Sequence, residues 1–306
     1  MINMFLPNHH LKNDIIKLIT YFDVFDYPLT SLEIWQLLPI GCSYQTVKQI
    51  LTNINLEQKH GFYCLPQRQA IITTRQQRYN ISDRKFKKAL RIAKIFSYLP
   101  WIKLICLANL IGQHNLRTQG DIDLFIITTP QRLWLTRQLC VGLIKFLNLR
   151  PRPHKIQDQI CLSFFVDAEH LNLESFLLQQ AKDNRDRYFT YWLASLRPLY
   201  NCDQTYEQLL SANAWLNNYL PNWQADYLSH KRQLTYQTTS SKKFKQLEIL
   251  EKLAKQFQYK VMASEIKKCM NQNTTVIVND YILKLHIVDR RQFFYEKYLT
   301  NLKNHV

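Results

Sequence analysis

The stretch Gly120-Asp121-Ile122-Asp123-Leu124-Phe125-Ile126-Ile127-Thr128 decides how this chain is read. Its apolar, β-branched run predicts a strand over 121–128. In a strand, residues i and i+2 share a face, so Asp121 and Asp123 project together while Ile122 points into a core. Two hard oxygen ligands converging at the start of a strand suit Mg²⁺, or Mn²⁺ in its place, held by carboxylates together with substrate phosphates. Asp121 and Asp123 are therefore the candidate metal ligands and catalytic residues.

An isolated Asp-x-Asp is more often a solvated turn, and its surroundings argue otherwise here. A second strand-like run, Ile102-Lys103-Leu104-Ile105-Cys106-Leu107-Ala108, precedes it, and the polar loop Gly112-Gln113-His114-Asn115-Leu116-Arg117-Thr118-Gln119 joins the two. After it come a helix over 132–147, with Leu133, Trp134, Arg137, Val141 and Ile144 at helical spacing, and a strand over 159–166. The tryptophan reads as core rather than as a base-stacking platform. The basic loop Arg150-Pro151-Arg152-Pro153-His154-Lys155 stands before that strand.

Upstream, residues 1–80 read as a small helical unit with a hairpin. Leu11 to Phe25 is helical; Thr30-Ser31-Leu32-Glu33 is a capping box opening a helix to Leu38; Ser43 caps a third helix with Val47, Ile50, Leu51 and Ile54 on one face. Gly61–Leu65 and Ala70–Ile72 are expected to form two strands of a wing, which makes this a winged-helix-like unit. Its third helix offers Lys48 beside Gln45, Gln49 and Asn53, few cations for DNA readout, so a packing or protein-interaction role fits it better. A basic helix over 75–98 leads to the α/β segment. After Asp167 the pattern is helical to about 220. The stretch 237–243 is the best linker, followed by a basic helix (245–268), a hairpin around Asn279-Asp280 and a last helix over 289–302.

The expected fold class is α+β, in four parts: 1–80, the winged-helix-like unit; 81–170, a small mixed sheet with helices; 171–230, a helical region; and 231–306, a basic helix, hairpin and C-terminal helix. Seven scattered cysteines, never spaced Cys-x-x-Cys, fit reduced thiols and exclude a zinc ribbon or disulfide frame. The apolar stretch 92–112 is broken by Lys94, Pro100 and Lys103, which excludes a membrane span there. With no leader-like pattern in the first 20 residues, a cytoplasmic location without membrane association is expected. The net charge of +17 is concentrated: residues 81–160 hold 14 Lys and Arg against 4 Asp and Glu. Such a field favours a polyanionic partner, a triphosphate, RNA or DNA, although a solvated lysine-rich surface would look the same. The oligomeric state is not legible.

By Thr128 the chain resembles nucleotidyltransferases of the DNA polymerase β-like superfamily, which carry Gly-Gly or Gly-Ser at the end of one strand, a loop of about ten residues and Asp-x-Asp opening the next. More narrowly, it is similar to uncharacterised bacterial nucleotidyltransferase domain-containing proteins of about 300 residues. That resemblance runs through Tyr21–Leu29, Asp121–Thr128, Arg132–Arg137, Ile160–Phe165, Arg197–Tyr200, Ala212–Trp215 and Tyr219–Asn222. It implies a nucleotidyltransferase-type sheet, and transfer of an NMP from an NTP to a hydroxyl acceptor with Mg²⁺ held by Asp121 and Asp123. Gly112, Gln113 and Asn115 would contact phosphates, Arg132 and Arg137 would be further phosphate contacts, and Asp167 would be a third catalytic acid.

The chain departs from the pattern in two places. Either Gly112-Gln113 or Asn109-Leu110 stands where Gly-Ser is expected, and the strand 160–166 offers Ser163 but no acid. A catalytically degenerate fold that binds nucleotide or nucleic acid is therefore the alternative reading.

Overall fold

The computed structural model describes residues 6–109, 115–152, 154–178, 186–225, 233–236 and 246–303. Within them the chain is α+β, with a three-stranded and a seven-stranded sheet, both open. The N-terminal unit begins with α1 (Leu6–Asp23), followed by β1 (Leu29–Thr30), α2 (Ser31–Leu37) and α3 (Tyr44–Leu51). The capping box is complete: the Thr30 hydroxyl accepts from the Glu33 N–H and the Glu33 carboxylate accepts from the Thr30 N–H. Ser43 caps α3, whose Val47, Ile50 and Leu51 are buried.

The expected wing is corrected in one strand. β2 (Glu57–Lys59) and β3 (Phe62–Cys64) form the hairpin, and β3 also pairs with β1. Ala70-Ile71-Ile72 instead starts α4 (Ala70–Phe96), where Ile71 and Ile72 pack on Phe62 and Cys64. An apolar triplet at a helix start has no periodicity of its own to separate helix from strand.

The second sheet runs β8-β7-β4-β5-β6-β10-β9. Its centre is β4 (Ile102–Leu107), antiparallel to β5 (Ile122–Thr128), which is parallel to β6 (Ile160–Asp167). α5 (Leu133–Phe146) supplies the crossover that a parallel pair requires. β5 is almost continuously apolar because both of its faces are covered. Ile122, Leu124 and Ile126 face the second half of α4 and α5, whereas Phe125 and Ile127 face an aromatic layer. In that layer Phe125 meets Phe164 and Trp192 at centroid distances of 5.0 and 5.7 Å, and Tyr21 and Phe22 of α1 reach Tyr191.

One strand of this sheet, β7, overturns the expectation of a helical pattern from 168 to about 220. After α6 (Arg187–Ala194), β7 (Arg197–Cys202) enters the sheet beside β4, and β8 (Leu234–Tyr236) pairs parallel to it. Pro198 sits opposite Cys106 where the ladder shifts register, the place an internal strand tolerates a residue without an N–H. The chain continues through α7 (Thr205–Ala212) and α8 (Leu216–Tyr219).

The basic helix expected over 245–268 is broken into α9 (Gln246–Val261) and α10 (Ser264–Cys269). The hairpin β9 (Val276–Val278) and β10 (Ile282–Leu285) forms as expected but docks on β6, and α11 (Arg291–Lys303) follows. Segments 81–170, 171–230 and 231–306 thus all contribute strands to one sheet. The expected linker 237–243 lies outside the described residues. Among the described residues, no helix is long and apolar enough to cross a membrane.

Candidate functional site

Asp121 and Asp123 stand where β5 emerges from the core. On the face shared by Asp123, Phe125 and Ile127 the apolar layer ends at Phe125, and the acids open onto a cleft of about 1450 Å³. Register pairs Asp123 with Cys161 of β6, so the thiol stands at the strand position beside the second acid. One ligand atom from each of Asp121, Asp123 and Cys161 lies within 4.8 Å of the others. Ser163 Oγ is 3.4 Å from the Cys161 sulfur and 3.0 Å from His286 Nε2.

Asn109, just past β4, holds the pair in place. Its Nδ2 donates to Asp123 Oδ2 at 2.7 Å and to the Asp121 carbonyl at 3.3 Å, and its Oδ1 accepts the Asp123 N–H at 3.0 Å. Behind Asp121, the fully buried Lys85 donates to the Gly120 carbonyl and pairs with Asp158 at 3.2 Å.

The remaining walls come from distant parts of the chain. The first half of α4 contributes Thr74, Gln77 and Arg78; α6 contributes Tyr188 and Trp192; β10 and the turn after it contribute Lys284, His286 and Arg290. Lys284 is buried and donates to the Thr274 carbonyl. Arg291, beneath this wall, pairs with Asp289 and with the buried Asp186 that caps α6, fastening α11 to α6.

The electrostatics of the acids are those of an underneutralised anion site. Desolvation in the cleft floor and the adjacent Asp121 push the Asp123 carboxyl up to about 7, and desolvation raises Asp121 as well. The Cys161 thiol is pushed well above its ordinary range by burial and by both acids, which keeps it protonated. Burial, with Arg291 close by, takes the Lys284 ammonium down to about 8.

Of the residues singled out from the sequence, the structure unites Asp121 and Asp123. Gly112 and Gln113 lie outside the described residues. Asn115 is buried behind the cleft lining and accepts from Arg78, which lines the cleft, at 2.6 Å. Asp167 does not join the cluster. Register places it beside Thr128, five residues along β5 from Asp123, or about 17 Å at strand rise. There it is buried, accepts the Glu169 N–H and faces His170 Nδ1 at 2.6 Å.

Arg132 and Arg137 are also elsewhere, because α5 covers the opposite face of the sheet. Arg132 reaches the Gln131 carbonyl, and Arg137 donates to Gln258 of α9, in a burial that lowers its pKa to about 10. Trp134 is core, as expected, with its indole N–H on Asp280.

Asn109 carries a local signal, since it stands at one of the two places where the resemblance expects Gly-Ser, whereas Cys161 lies, without being singled out, in the strand expected to carry a third acid. Lys284, His286 and Arg290 carry none, because only strand docking brings them here. In comparisons with known proteins, no family model, no curated protein and no solved structure matches this chain.

Proposed function

We propose that the chain is a nucleotidyltransferase, moving an NMP from an NTP to a hydroxyl acceptor at the acid pair, with a fold of the polymerase β type behind a winged-helix-like unit. The observation that carries this reading is the convergence of Asp121 and Asp123 at the mouth of β5, on an open cleft large enough for a nucleotide. Among the described residues no ammonium or guanidinium is bonded to these two desolvated carboxylates, and the donor set of two oxygens and a sulfur fits a divalent metal.

Asp121 and Asp123 would hold Mg²⁺ or Mn²⁺. When bound, the metal would neutralise phosphate charge and polarise the α-phosphorus. Asn109 orients Asp123 through two hydrogen bonds, one to its carboxylate and one from its backbone N–H. Arg117 and Arg290 on the rim offer cations to a triphosphate. Positioning and charge neutralisation carry most of such a reaction.

Isothermal calorimetry of Mg²⁺–NTP against the wild type and Asp121→Asn/Asp123→Asn tests this. Metal-dependent binding that disappears in the double variant supports it; no binding to the wild type overturns it.

A second reading, a degenerate fold that binds without catalysing transfer, is favoured by a specific observation. Cys161 and not an acid stands beside Asp123, on the strand where a third acid is expected, and Asn109 engages one oxygen of Asp123. NTP binding without transfer to any hydroxyl acceptor would select it.

A further inference from the structure

The cleft has a basic continuation. Gln77 and Ile81 of α4 line it, and Arg84 and Lys88 follow at three- and four-residue steps. Residues at that spacing lie on one helix face about 5–6 Å apart, so the stripe that walls the cleft runs directly into a row of cations. The loop before β6 meets this row. Lys88 donates to the Asp158 carbonyl at 2.6 Å, Arg84 reaches the Asp158 carboxylate at 3.2 Å, and Lys155 is close enough to act on Lys88 electrostatically.

Asp158 is the acid at the centre of this group, and its charge also serves the buried Lys85. Arg84, Lys88 and Lys155 therefore leave a net positive surface, with the Arg84 side chain 61% exposed. The surface adjoins the acids themselves: Asp158 donates its N–H to the Gly120 carbonyl, and Gly120 and Ile156 both line the cleft.

We propose that the ridge of Arg84, Lys88 and Lys155 is a docking track for single-stranded nucleic acid, which enters the cleft past Arg117 with its end at Asp121 and Asp123. A phosphate chain supplies charges in a row, as the ridge does, and cation contacts to phosphate give sequence-independent, salt-sensitive binding. A single strand, with its flexible backbone and unpaired bases, is the form that can follow such a ridge and place its end in the cleft. Only the placement of the strand end rests on the acid pair being a transfer site; the docking does not.

The test is fluorescence anisotropy of the full chain with labelled 12-nucleotide single-stranded RNA and DNA, the matching duplex and phosphatidylserine vesicles. Arg84→Gln/Lys88→Gln/Lys155→Gln is compared with Lys260→Gln/Lys267→Gln/Lys268→Gln, which removes the same charge from α9 and α10. Thermal melting confirms that both variants are folded.

The ridge variant should lose about tenfold or more in affinity for single strands, with the salt slope falling by about 2, and the control should keep both. Asp121→Asn/Asp123→Asn should still bind the strand. Equal losses in the two triple variants, or tighter binding of the duplex or the vesicles, would overturn the track. Failure of NTP binding with the ridge effect intact would sink the transfer reading alone.

Discussion

Asn109 and Asp123 form a reciprocal pair across the β4–β5 junction: the amide Nδ2 donates to the carboxylate at 2.7 Å while the amide oxygen accepts the Asp123 N–H at 3.0 Å. This closes the ladder where β4 ends and fixes the direction of a carboxylate to which, among the described residues, no cation is bonded. The pair explains how an acid pair is held in shape at the edge of an apolar layer.

Replacing Asn109 with Ala should therefore cost about 1–3 kcal/mol, because it leaves a buried N–H and a desolvated carboxylate without their partner. Urea unfolding of Asn109→Ala against wild type measures it. A loss under about 0.5 kcal/mol would show that water replaces the amide without penalty.

Asp123 should make stability fall with rising pH. Its folded carboxyl titrates near 7, above the ordinary value of about 4, so between those values the folded chain holds a proton that the unfolded chain has lost. The stabilisation is full below about 4 and gone above about 7. Asp123→Asn, measured by thermal melting with EDTA from pH 4.5 to 8.5, should gain on the wild type as pH rises and be more stable at pH 8. Parallel curves would contradict the shift.

Cys161 should set the metal preference. Sulfur is a poor ligand for Mg²⁺, and a carboxylate at the same position would complete an oxygen site. Cys161→Asp should raise Mg²⁺ affinity several-fold, whereas Cys161→Ser should weaken Zn²⁺ or Cd²⁺ more than Mg²⁺. Calorimetric titration of the three metals separates these outcomes from a sulfur that never touches the ion.

Arg291 joins β10, α6 and α11 through Asp186, Asp289 and the Phe176 carbonyl. Arg291→Met strands the fully buried Asp186 carboxylate and should cost about 3–5 kcal/mol by denaturant unfolding. Adding Asp186→Asn should recover part of that loss, since it removes the stranded charge. No recovery would assign the cost to packing alone.

The sequence by itself determined what depends on neighbours along the chain. Thr30 and Glu33 cap α2 because the capping box lies within four residues. Asp121 and Asp123 share a face because a strand alternates every residue. Leu124 to Thr128 is buried because that run has no charged break. Ala70–Ile72 was ambiguous at that range, since three apolar residues carry no period.

What only the tertiary structure decided are the relations between segments far apart. Arg197–Cys202, with its proline, becomes an inner strand because β4 offers it a bulge. The hairpin of β9 and β10 docks on β6, bringing Lys284 and His286 from more than 100 residues away to the acids. Asp167, Arg132 and Arg137 lie near Asp121 and Asp123 in sequence, yet a parallel strand pair needs a crossover helix on one face. That crossover carries both arginines behind the sheet, and the length of β6 carries Asp167 to its far end. Strand pairing and layer choice are set by the burial of whole faces, which no local stretch of sequence records.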